Sequence, residues 1–302
     1  MNYVVTGASG NIGTALTKKL LAASQDVVVI GRNQSNLNHL ADAGATTAIG
    51  SMEDVEFLTR VFNDAHCVFC MYPPVADTND FKSYTEEIAN NYKQAISANN
   101  IKHIVHLSSI GAHLAENAGP VSGIHRAEKV LDTLTDVNIL HLRPAYFYTN
   151  LFANLSTLQQ LGIMGGTFTS DALPLAHYDD IANIASEALL KCNFKGHEHQ
   201  YIVSDIASTS EIASQIGKSI GKSDVPWIRF SHDQALEAIC ASGIPRPIAI
   251  EYLELFAAVD SGLVTEDYLK HPTTPKGVSL DEFSRQFAAV YNLKIQEPVN
   301  QE

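Results

Sequence analysis

Short apolar runs alternate with segments of helical spacing along the first half of the chain. Residues 27–30 are all apolar, which is typical of a strand covered on both faces. In residues 12–23, Ile12, Leu16 and Leu20 lie on one face of a predicted helix. Further strands are predicted at residues 3–6, 46–49, 66–71, 103–107 and 138–142, and further helices at 54–62, 83–98 and 125–134. This alternation with short links predicts βαβ units and a parallel sheet.

After residue 150 the pattern loosens. A helix is predicted at residues 153–161, followed by a glycine-rich link at 162–166. A helix at 179–190 and a strand at 200–203 form one more pair, which we expect to return to the first sheet. From Ser208 onward the pattern is mostly helical, and Ser208 with Glu211 fits a capping box.

The link between the first predicted strand and the first helix is rich in glycine. Its candidate ligand-binding residues are Gly7, Ser9, Gly10, Asn11, Ile12 and Gly13. A tight turn there aims backbone N–H groups and the helix N-terminus at an anion, and a Cβ would block a pyrophosphate. An ordinary turn is the alternative, but the position before a series of βαβ units favours a dinucleotide site.

The end of the second predicted strand bears on the choice of dinucleotide. NAD sites usually place an Asp or Glu about 20 residues past the loop to bind the ribose 2′-hydroxyl. Arg32 stands at this point instead. A guanidinium binds a 2′-phosphate well, so we expect NADP(H) to be favoured over NAD(H). The alternative is a solvated surface arginine.

These patterns together predict an α/β fold with a doubly wound parallel sheet of the Rossmann type. A smaller, mostly helical C-terminal substrate domain is expected beside it. The expected dinucleotide-binding domain comprises residues 1–150 with about 178–205. The expected substrate-binding domain comprises about 151–177 with 206–302.

Composition narrows the class of protein further. The chain has 302 residues, 45% of them hydrophobic, and a formal net charge of −13. We expect no direct binding to nucleic acid or to an anionic membrane, since both rely on basic side chains. No apolar run is long enough to span a membrane, the first residues lack a signal-peptide pattern, and the chain has only 4 cysteines. We therefore expect a soluble, cytoplasmic protein.

Further motifs follow the glycine loop along the chain. They are the fifth predicted strand with its serine pair at 103–109, Glu-Lys-Val-Leu at 128–131, Leu-Arg-Pro and the residues after it at 142–150, Asp-Ile-Ala at 180–182, and residues 274–283 before the last helix. In this order and spacing, they resemble the NmrA-like family of atypical short-chain dehydrogenases/reductases. The resemblance covers nearly the whole chain.

Two functions are implied by this resemblance. The first is NADPH-dependent reduction of a small, largely apolar acceptor, such as a quinone or another carbonyl or unsaturated compound. The second is a non-catalytic NADP(H)-binding redox sensor, because some members of the family have lost catalysis and bind a regulatory protein. The resemblance does not choose between them, and the oligomeric state stays open.

The candidate catalytic residues depend on how one helix is aligned. Typical short-chain dehydrogenases carry Tyr-x-x-x-Lys on it, with the tyrosine as proton donor. Here His125 and Lys129 have that spacing, so both are predicted to lie on one helix face, with His125 as donor. Aligning Glu128 with the family's glutamate instead puts Ile124 at the lysine position and leaves no acid/base pair. Ser109 matches the family's substrate-polarising serine.

The carboxyl ends of the predicted strands supply further candidates, because they face the ligand crevice of an open parallel sheet. Ser108, Tyr72, Pro73, Tyr146 and Phe147 are predicted to contact the cofactor, and Tyr148, Asn150 and Trp227 are predicted to contact the substrate. For the aromatic residues after the sixth strand, the alternative is packing between the two domains.

Two patterns that suggest redox or metal chemistry are interpreted as structural. Cys67 and Cys70 lie in a predicted buried strand, where positions i and i+3 point to opposite faces. Redox dithiols lie instead at exposed helix starts. His197 and His199 have no third ligand nearby in sequence, so we expect a solvated turn there and no metal site.

Overall fold

The computed structural model describes residues 2–73 and 78–296. The strands are β1 (Asn2–Val5), β2 (Asp26–Gly31), β3 (Thr46–Ile49), β4 (Cys67–Cys70), β5 (His103–Leu107), β6 (Asn138–Pro144), β7 (Tyr146–Phe147), β8 (Met164–Gly166), β9 (Leu173–Ala176), β10 (His197–Ile202), β11 (Asp205–Ala207) and β12 (Trp227–Arg229). The helices are α1 (Asn11–Ala22), α2 (Asn38–Ala41), α3 (Val55–Val61), α4 (Phe81–Ala98), α5 (Pro120–Leu131), α6 (Leu155–Leu161), α7 (Tyr178–Lys191), α8 (Thr209–Ser219), α9 (His232–Ala241), α10 (Arg246–Asp260), α11 (Glu266–Lys270) and α12 (Leu280–Gln296).

Seven parallel strands form the central sheet, in the order β3-β2-β1-β4-β5-β6-β10. Helices α1 and α7 pack together over one face, and α3, α4 and α5 cover the other. The predicted doubly wound Rossmann-type sheet is therefore confirmed. The chain reverses direction between β1 and β4, and ligands of open α/β sheets bind at the carboxyl ends of strands beside such a point.

The remaining strands form two small sheets outside the central one. Strands β11, β9 and β7 form one small sheet, and β12 pairs with β8. Tyr148, Phe283 and Phe287 belong to the hydrophobic core that these elements share with α8 and α12. Ser208 and Glu211 form the predicted capping box at the start of α8. Within the described residues, no helix is long and apolar enough to cross a membrane.

Three local predictions differ from the structure. Helix α5 begins at Pro120 instead of residue 125, because the proline occupies the first turn, where its missing N–H costs nothing. Residues 148–154 form a 3₁₀ segment, so the predicted helix at 153–161 starts later, as α6. The expected turn at His197 and His199 is wrong, since both residues pair with β6 in β10.

The two cysteines with Cys-x-x-Cys spacing lie in a buried strand, as predicted. Cys67 and Cys70 are the first and last residues of β4, and all four residues of this strand are buried. Their side chains belong to different cores, Cys67 to the one beneath α1 and α7 and Cys70 to the one beneath α4. The two thiols therefore face opposite sides of the sheet.

Candidate functional site

The glycine loop makes a turn that side chains would disrupt. Gly7 has a left-handed φ of +62°, and an added Cβ would lie 2.2 Å from Met71 Sδ. An added Cβ on Gly13 would lie 2.4 Å from the carbonyl oxygen of Gly7. Gly10 precedes α1 and supplies no side-chain cap, which leaves the first N–H groups of the helix open to a ligand. This cradle fits a pyrophosphate group.

A cavity of about 150 Å³ lies against this loop. Five of the loop residues predicted from the sequence line it: Gly7, Gly10, Asn11, Ile12 and Gly13. Its other walls come from the ends of β4 and β5, from residues after β6 and from α7; they are Phe69, Met71, Leu107, Phe147, Thr149, Tyr178 and Ile181. Apart from the loop, the walls are mainly apolar, which suits a flat ring more than a second phosphate.

A larger cavity of about 640 Å³ lies beside the first. Ser109, Ala145, Tyr146, Phe147 and Asn150 contribute the wall at the sheet edge. The opposite wall comes from α9, α10 and the loops next to them, and its side chains are mostly aliphatic or aromatic. Phe147 lines both cavities, so they adjoin at this residue.

The helical wall of this cavity was not predicted from the sequence. Its main members are Ala238, Ile239, Ser242, Ile244, Tyr252, Leu255, Phe256, Val259, Val264 and Thr265. Helix α9 has no buried residue, and it contributes the exposed Ala238 and the half-buried Ile239 to the cavity wall. This apolar stripe is visible in the sequence, but nothing local shows that it covers a cavity rather than a solid core.

The two serines after β5 have different surroundings. Ser109 lines the larger cavity, and its hydroxyl donates to the Ile110 carbonyl oxygen at 2.9 Å. Ser108 is buried and donates to Glu128 Oε1 at 2.5 Å. Because this proton is committed to Glu128, the predicted cofactor contact does not fit the Ser108 hydroxyl.

Glu128 belongs to a buried ion pair that connects α5 with β6. Arg143 Nη2 lies 2.7 Å from Glu128 Oε2, and Arg143 Nε lies 3.0 Å from Oε1. Burial alone would raise the pKa of the Glu128 carboxyl, but the hydrogen bonds and charges of Arg143, with His141 and Ser108, lower it. The Glu-Lys-Val-Leu motif that contains Glu128 and the Leu-Arg-Pro motif that contains Arg143 are visible in the sequence, but the pairing of these two side chains is not.

Helix α5 does not place the predicted acid/base pair at either cavity. Lys129 is exposed, with its Nζ 3.5 Å from Asp132 Oδ2. His125 Nδ1 lies 2.8 Å from the Ala112 carbonyl oxygen, and Ile124 packs against the hydrophobic core. Neither alignment of the helix therefore brings a proton-donor pair to the cavities, because the buried face of α5 carries Glu128 instead.

Tyr72 does not fit the predicted cofactor contact either. Its ring is buried between Tyr92 and His106, and its hydroxyl has no partner in the described part of the chain. Neither Tyr72 nor Pro73 lines either of these two cavities, whereas Met71 lines the one at the loop. Successive side chains of an extended segment point to opposite faces, and Tyr72 faces α4.

The aromatic segment after β6 divides between the cavities and the core. Tyr146 and Asn150 line the larger cavity, as does Phe147. Tyr148 is fully buried, and its ring stacks on Phe283 with centroids 4.5 Å apart. The predicted substrate contact does not fit Tyr148, because this packing keeps its side chain away from the cavity.

Trp227 and Arg32 lie apart from the cavities. Trp227 Nε1 donates to the Phe168 carbonyl oxygen at 3.0 Å, and its ring packs on the C-terminal core, so the predicted substrate contact does not fit.

Arg32 follows β2 and is exposed, and no ion pair is seen for it with any described residue. Ser9 is also exposed at the loop.

Two buried histidines lie side by side at paired positions of β5 and β6. His106 Nδ1 and His141 Nδ1 are 2.7 Å apart, and His141 Nε2 lies 3.2 Å from Asp132 Oδ1. Burial, and then the charges of His141 and Arg143, lower the pKa of His106 well below its ordinary value. His106 therefore stays neutral in the folded protein at pH values where it is protonated in the unfolded chain.

This difference predicts a loss of stability in mild acid. Below the ordinary histidine pKa of about 6.5, the unfolded chain binds a proton at His106 that the folded chain does not, so the free energy of unfolding falls as pH falls. The slope from this group approaches about 1.4 kcal/mol per pH unit. Urea unfolding of the native protein and of His106→Gln between about pH 7 and 5 measures it. Equal slopes for both proteins would contradict this prediction.

Comparison with known proteins agrees with this geometry. The chain is 24% identical over 303 residues to the NAD(P)H azoreductase of Xenophilus azovorans, covering 95% of this chain and 98% of that protein. An NADPH-dependent quinone oxidoreductase of Escherichia coli, complexed with NADPH, has the same fold with a TM-score of 0.75 and 19% identity, over 94% of this chain and 99% of that one. The triphenylmethane reductase of Citrobacter sp., complexed with NADP(H), gives a TM-score of 0.75 and 21% identity, over 95% and 100%.

A family model is the most direct of these comparisons. The model described as NAD(P)H-binding matches residues 7–171, which is more than half of the chain. The match includes the glycine loop, Arg32 and the segment after β6. The glycine loop forms the cradle described above. The order of the motifs along the chain resembles that of the NmrA-like group. The chain belongs to the NAD(P)H-binding family.

Proposed function

We propose that this protein is an NADPH-dependent oxidoreductase that reduces a small, largely apolar acceptor, such as a quinone or another carbonyl or unsaturated compound. The observation that carries the proposal is Phe147, which lines both the loop cavity and the larger apolar cavity. A dinucleotide on the loop and an apolar acceptor in the larger cavity would meet there. The azoreductase, quinone oxidoreductase and dye reductase among its relatives support a reductase.

Each part of the site has a separate task in this proposal. Gly7, Ser9, Gly10, Asn11, Ile12 and Gly13 would hold the pyrophosphate through backbone N–H groups and the N-terminus of α1. The bound dinucleotide supplies a hydride. The mainly apolar walls of the larger cavity exclude water and hold the acceptor, with Ser109 and Asn150 as polar groups at its edge. Reduction of a quinone gives a stabilised oxyanion, so it does not require the Tyr-x-x-x-Lys pair.

We also propose the division of the chain that the sequence predicts. Residues 1–150 with about 178–205 would form the dinucleotide-binding domain, since β10 extends the central sheet and α7 packs on α1. Residues from about 151 to 177, with 206–302, would form the substrate-binding domain. The helical wall of the larger cavity supports this, because α9 and α10 belong to the second group.

A charge on the helical wall tests the acceptor site. Ile239→Glu places a carboxylate in the apolar cavity, so we expect KM for an apolar acceptor to rise by about tenfold or more, because the bound acceptor would no longer bury apolar surface there and would desolvate a charge. The affinity for NADPH should not change. NADPH oxidation is followed by absorbance with quinones, azo dyes and triphenylmethane dyes as acceptors. Ala241→Glu, exposed on the same helix and outside the cavity wall, is the matched control.

The alternative function is a non-catalytic NADP(H) sensor that binds a regulatory protein. The observation that favours it is the orientation of Lys129, which faces solvent and pairs with Asp132. The same assay separates the two functions. Tight binding of NADPH without oxidation by any acceptor in the panel would refute the reductase and support the sensor.

Arg32 tests the preference for NADP(H). We propose that its guanidinium binds the 2′-phosphate, so NADPH should bind more tightly than NADH. Hydrogen bonds to a charged group are worth about 1.5–3 kcal/mol, so Arg32→Ala should weaken NADPH binding by roughly tenfold to a hundredfold and leave NADH binding unchanged. Fluorescence titration measures both affinities, and Arg60→Ala on α3 controls for the loss of one positive charge. Equal affinities of the native protein for the two dinucleotides would refute the role of Arg32.

A further inference from the structure

Two phenol groups in the larger cavity lack hydrogen-bond partners. Tyr146 and Tyr252 both line it, and neither hydroxyl is bonded to any group in residues 2–73 or 78–296. Within the same described residues, the hydroxyls of Tyr72 and Tyr148 also lack a partner, but they are sealed inside the core. By contrast, the buried Tyr92 hydroxyl donates to the Met71 carbonyl oxygen. A hydroxyl that faces an apolar cavity without a partner is available to a ligand.

Tyr146 is the better placed of these two tyrosines. It directly precedes Phe147, the residue that lines both cavities, and it is held in β7 by pairing with Leu175 of β9. Its ring packs edge-on against Phe168, with centroids 5.9 Å apart. Tyr252 lies instead on α10, where it stacks on Phe256. The Tyr146 hydroxyl is therefore positioned by a strand next to the junction of the cavities.

The phenol of Tyr146 is a hydrogen-bond donor at neutral pH. Burial raises its pKa well above the ordinary tyrosine value, so the hydroxyl keeps its proton. The other polar groups at this edge are occupied differently. The Ser109 hydroxyl donates to Ile110, and His125 Nδ1 contacts the Ala112 carbonyl oxygen outside both cavities. Tyr146 thus offers a free neutral donor to an acceptor bound at the sheet edge.

We propose that the Tyr146 hydroxyl donates a hydrogen bond to the acceptor oxygen that becomes negative during reduction. This inference rests on the proposed reductase function. A quinone that gains a hydride, with its two electrons, becomes a hydroquinone monoanion, and the charge resides on oxygen. Tyr146 stabilises this charge and retains its own proton, while solvent supplies the second proton of the hydroquinone. A preorganised donor in an apolar site is worth more than the same donor in water.

Acceptor chemistry distinguishes this role from simple packing. A cationic triphenylmethane dye is a carbocation, so hydride addition gives a neutral product without an oxyanion or a further proton. Removal of the Tyr146 hydroxyl should therefore affect quinone reduction selectively. In Tyr146→Phe, the ratio of kcat for a para-quinone to kcat for the dye should fall by about tenfold to a hundredfold, as for a lost hydrogen bond to a charged group. The ring that packs on Phe168 is retained.

Tyr252→Phe is the matched control, because it removes a second unpartnered phenol from the same cavity. Because Tyr252 also lines the acceptor cavity, we expect any change in its kcat to be the same for the quinone and the dye, so that the ratio stays at the native value. An equal loss on both acceptors in Tyr146→Phe, or a selective loss in Tyr252→Phe instead, would overturn the assignment. Absence of turnover by the native protein on any acceptor would refute the proposed reductase function. The role of Tyr146 can still be tested in that case, because ligand binding at equilibrium does not require turnover.

Binding of 4-nitrophenol to the NADP⁺-loaded protein tests the same donor at equilibrium. The phenolate and phenol forms differ in visible absorbance, and the phenolate resembles the hydroquinone anion. If Tyr146 donates to the oxyanion, the apparent pKa of the bound ligand should be about one pH unit lower in the native protein than in Tyr146→Phe, which corresponds to tenfold tighter binding of the anion. Identical values in both proteins would overturn the inference, whether or not turnover is observed.

Discussion

Gly13→Ala is expected to raise the dissociation constant for NADPH by at least about a hundredfold, which corresponds to about 2.7 kcal/mol. A Cβ at this position would lie 2.4 Å from the Gly7 carbonyl oxygen and 2.6 Å from Ala8 Cα. Both are backbone atoms, so the clash is relieved only if the turn opens. An open turn moves the N–H groups away from the pyrophosphate, and the position of the N-terminus of α1 changes with it.

The apoprotein should tolerate this substitution better than the complex does. Alanine favours a helix over glycine by about 1 kcal/mol, and Gly13 lies in α1, so part of the strain is offset. Isothermal titration with NADPH gives the affinity, and urea unfolding gives the stability of the same sample. Wild-type affinity in Gly13→Ala would show that the loop does not hold the dinucleotide.

Gly10→Ala separates an effect on dinucleotide binding from an effect on the conformation of the loop. Its added Cβ would lie 3.5 Å from the Gly7 carbonyl oxygen, which is ordinary contact, so the apoprotein should be unchanged. Gly10 is exposed and lines the loop cavity, so the new methyl group would meet only the dinucleotide. We expect weaker NADPH binding at native stability. This result would show that the backbone is approached closely by the ligand, independently of any strain within the loop.

Glu128→Gln is expected to lower the free energy of unfolding by about 3–5 kcal/mol, the usual cost of removing one partner of a buried ion pair. The side chains of Glu128 and Arg143 are 4% and 10% exposed. Without the carboxylate charge, the remaining ionised partner of the guanidinium is the more distant Asp267, at 3.4 Å, beside the neutral Tyr201 hydroxyl at 3.3 Å. The glutamine oxygen can still accept from Ser108 and Arg143 Nε, but the new NH2 group would face the Arg143 Nη2 donor, so the strand ends next to the cavities are also less well held.

Urea unfolding of three variants tests this origin of the loss. The double variant Glu128→Leu with Arg143→Met should recover much of the stability, because it leaves no buried charge without a partner. Glu187→Gln breaks the exposed pair with Lys191 and should have little effect. A Glu128→Gln protein as stable as the native one would show that the buried pair does not contribute.

The pair of Glu128 and Arg143 also makes the free energy of unfolding depend on pH. Since the pKa of Glu128 is lower in the folded protein, its contribution is present above the unfolded value of about 4.3 and is lost as pH falls through the folded value. The effect of His106 begins at a higher pH, near 6.5. Two steps in the pH dependence of unfolding are therefore expected, and Glu128→Gln removes only the lower one.

The central sheet and the glycine loop were predictable because both depend on short stretches of chain. Residues 27–30 are apolar at every position, which already implies a strand covered on both faces. The spacing of Gly7, Gly10 and Gly13 defines a turn within seven residues. The ends of parallel strands meet at one edge of the sheet, so Ser109, Tyr146 and Asn150 were expected near a ligand and do line the larger cavity.

The direction of single side chains was not predictable in the same way. A shift of one residue along an extended segment changes which side of the sheet a side chain faces. Met71 therefore lines the loop cavity while Tyr72 enters the core. After β7 the chain turns into the 3₁₀ segment, so Phe147 lines both cavities while Tyr148 stacks on Phe283. The identity of a residue as aromatic does not distinguish these outcomes.

Contacts between distant segments required the folded chain. Glu128 pairs with Arg143 across α5 and β6, and this buried face of α5 turns Lys129 to solvent. Helices α9 and α10 cover a cavity lined by residues about 100 positions earlier. Local patterns in the chain determine strands, helices and a tight turn, because neighbouring residues interact directly. The site as a whole depends on which surfaces pack together, and no local pattern carries that information.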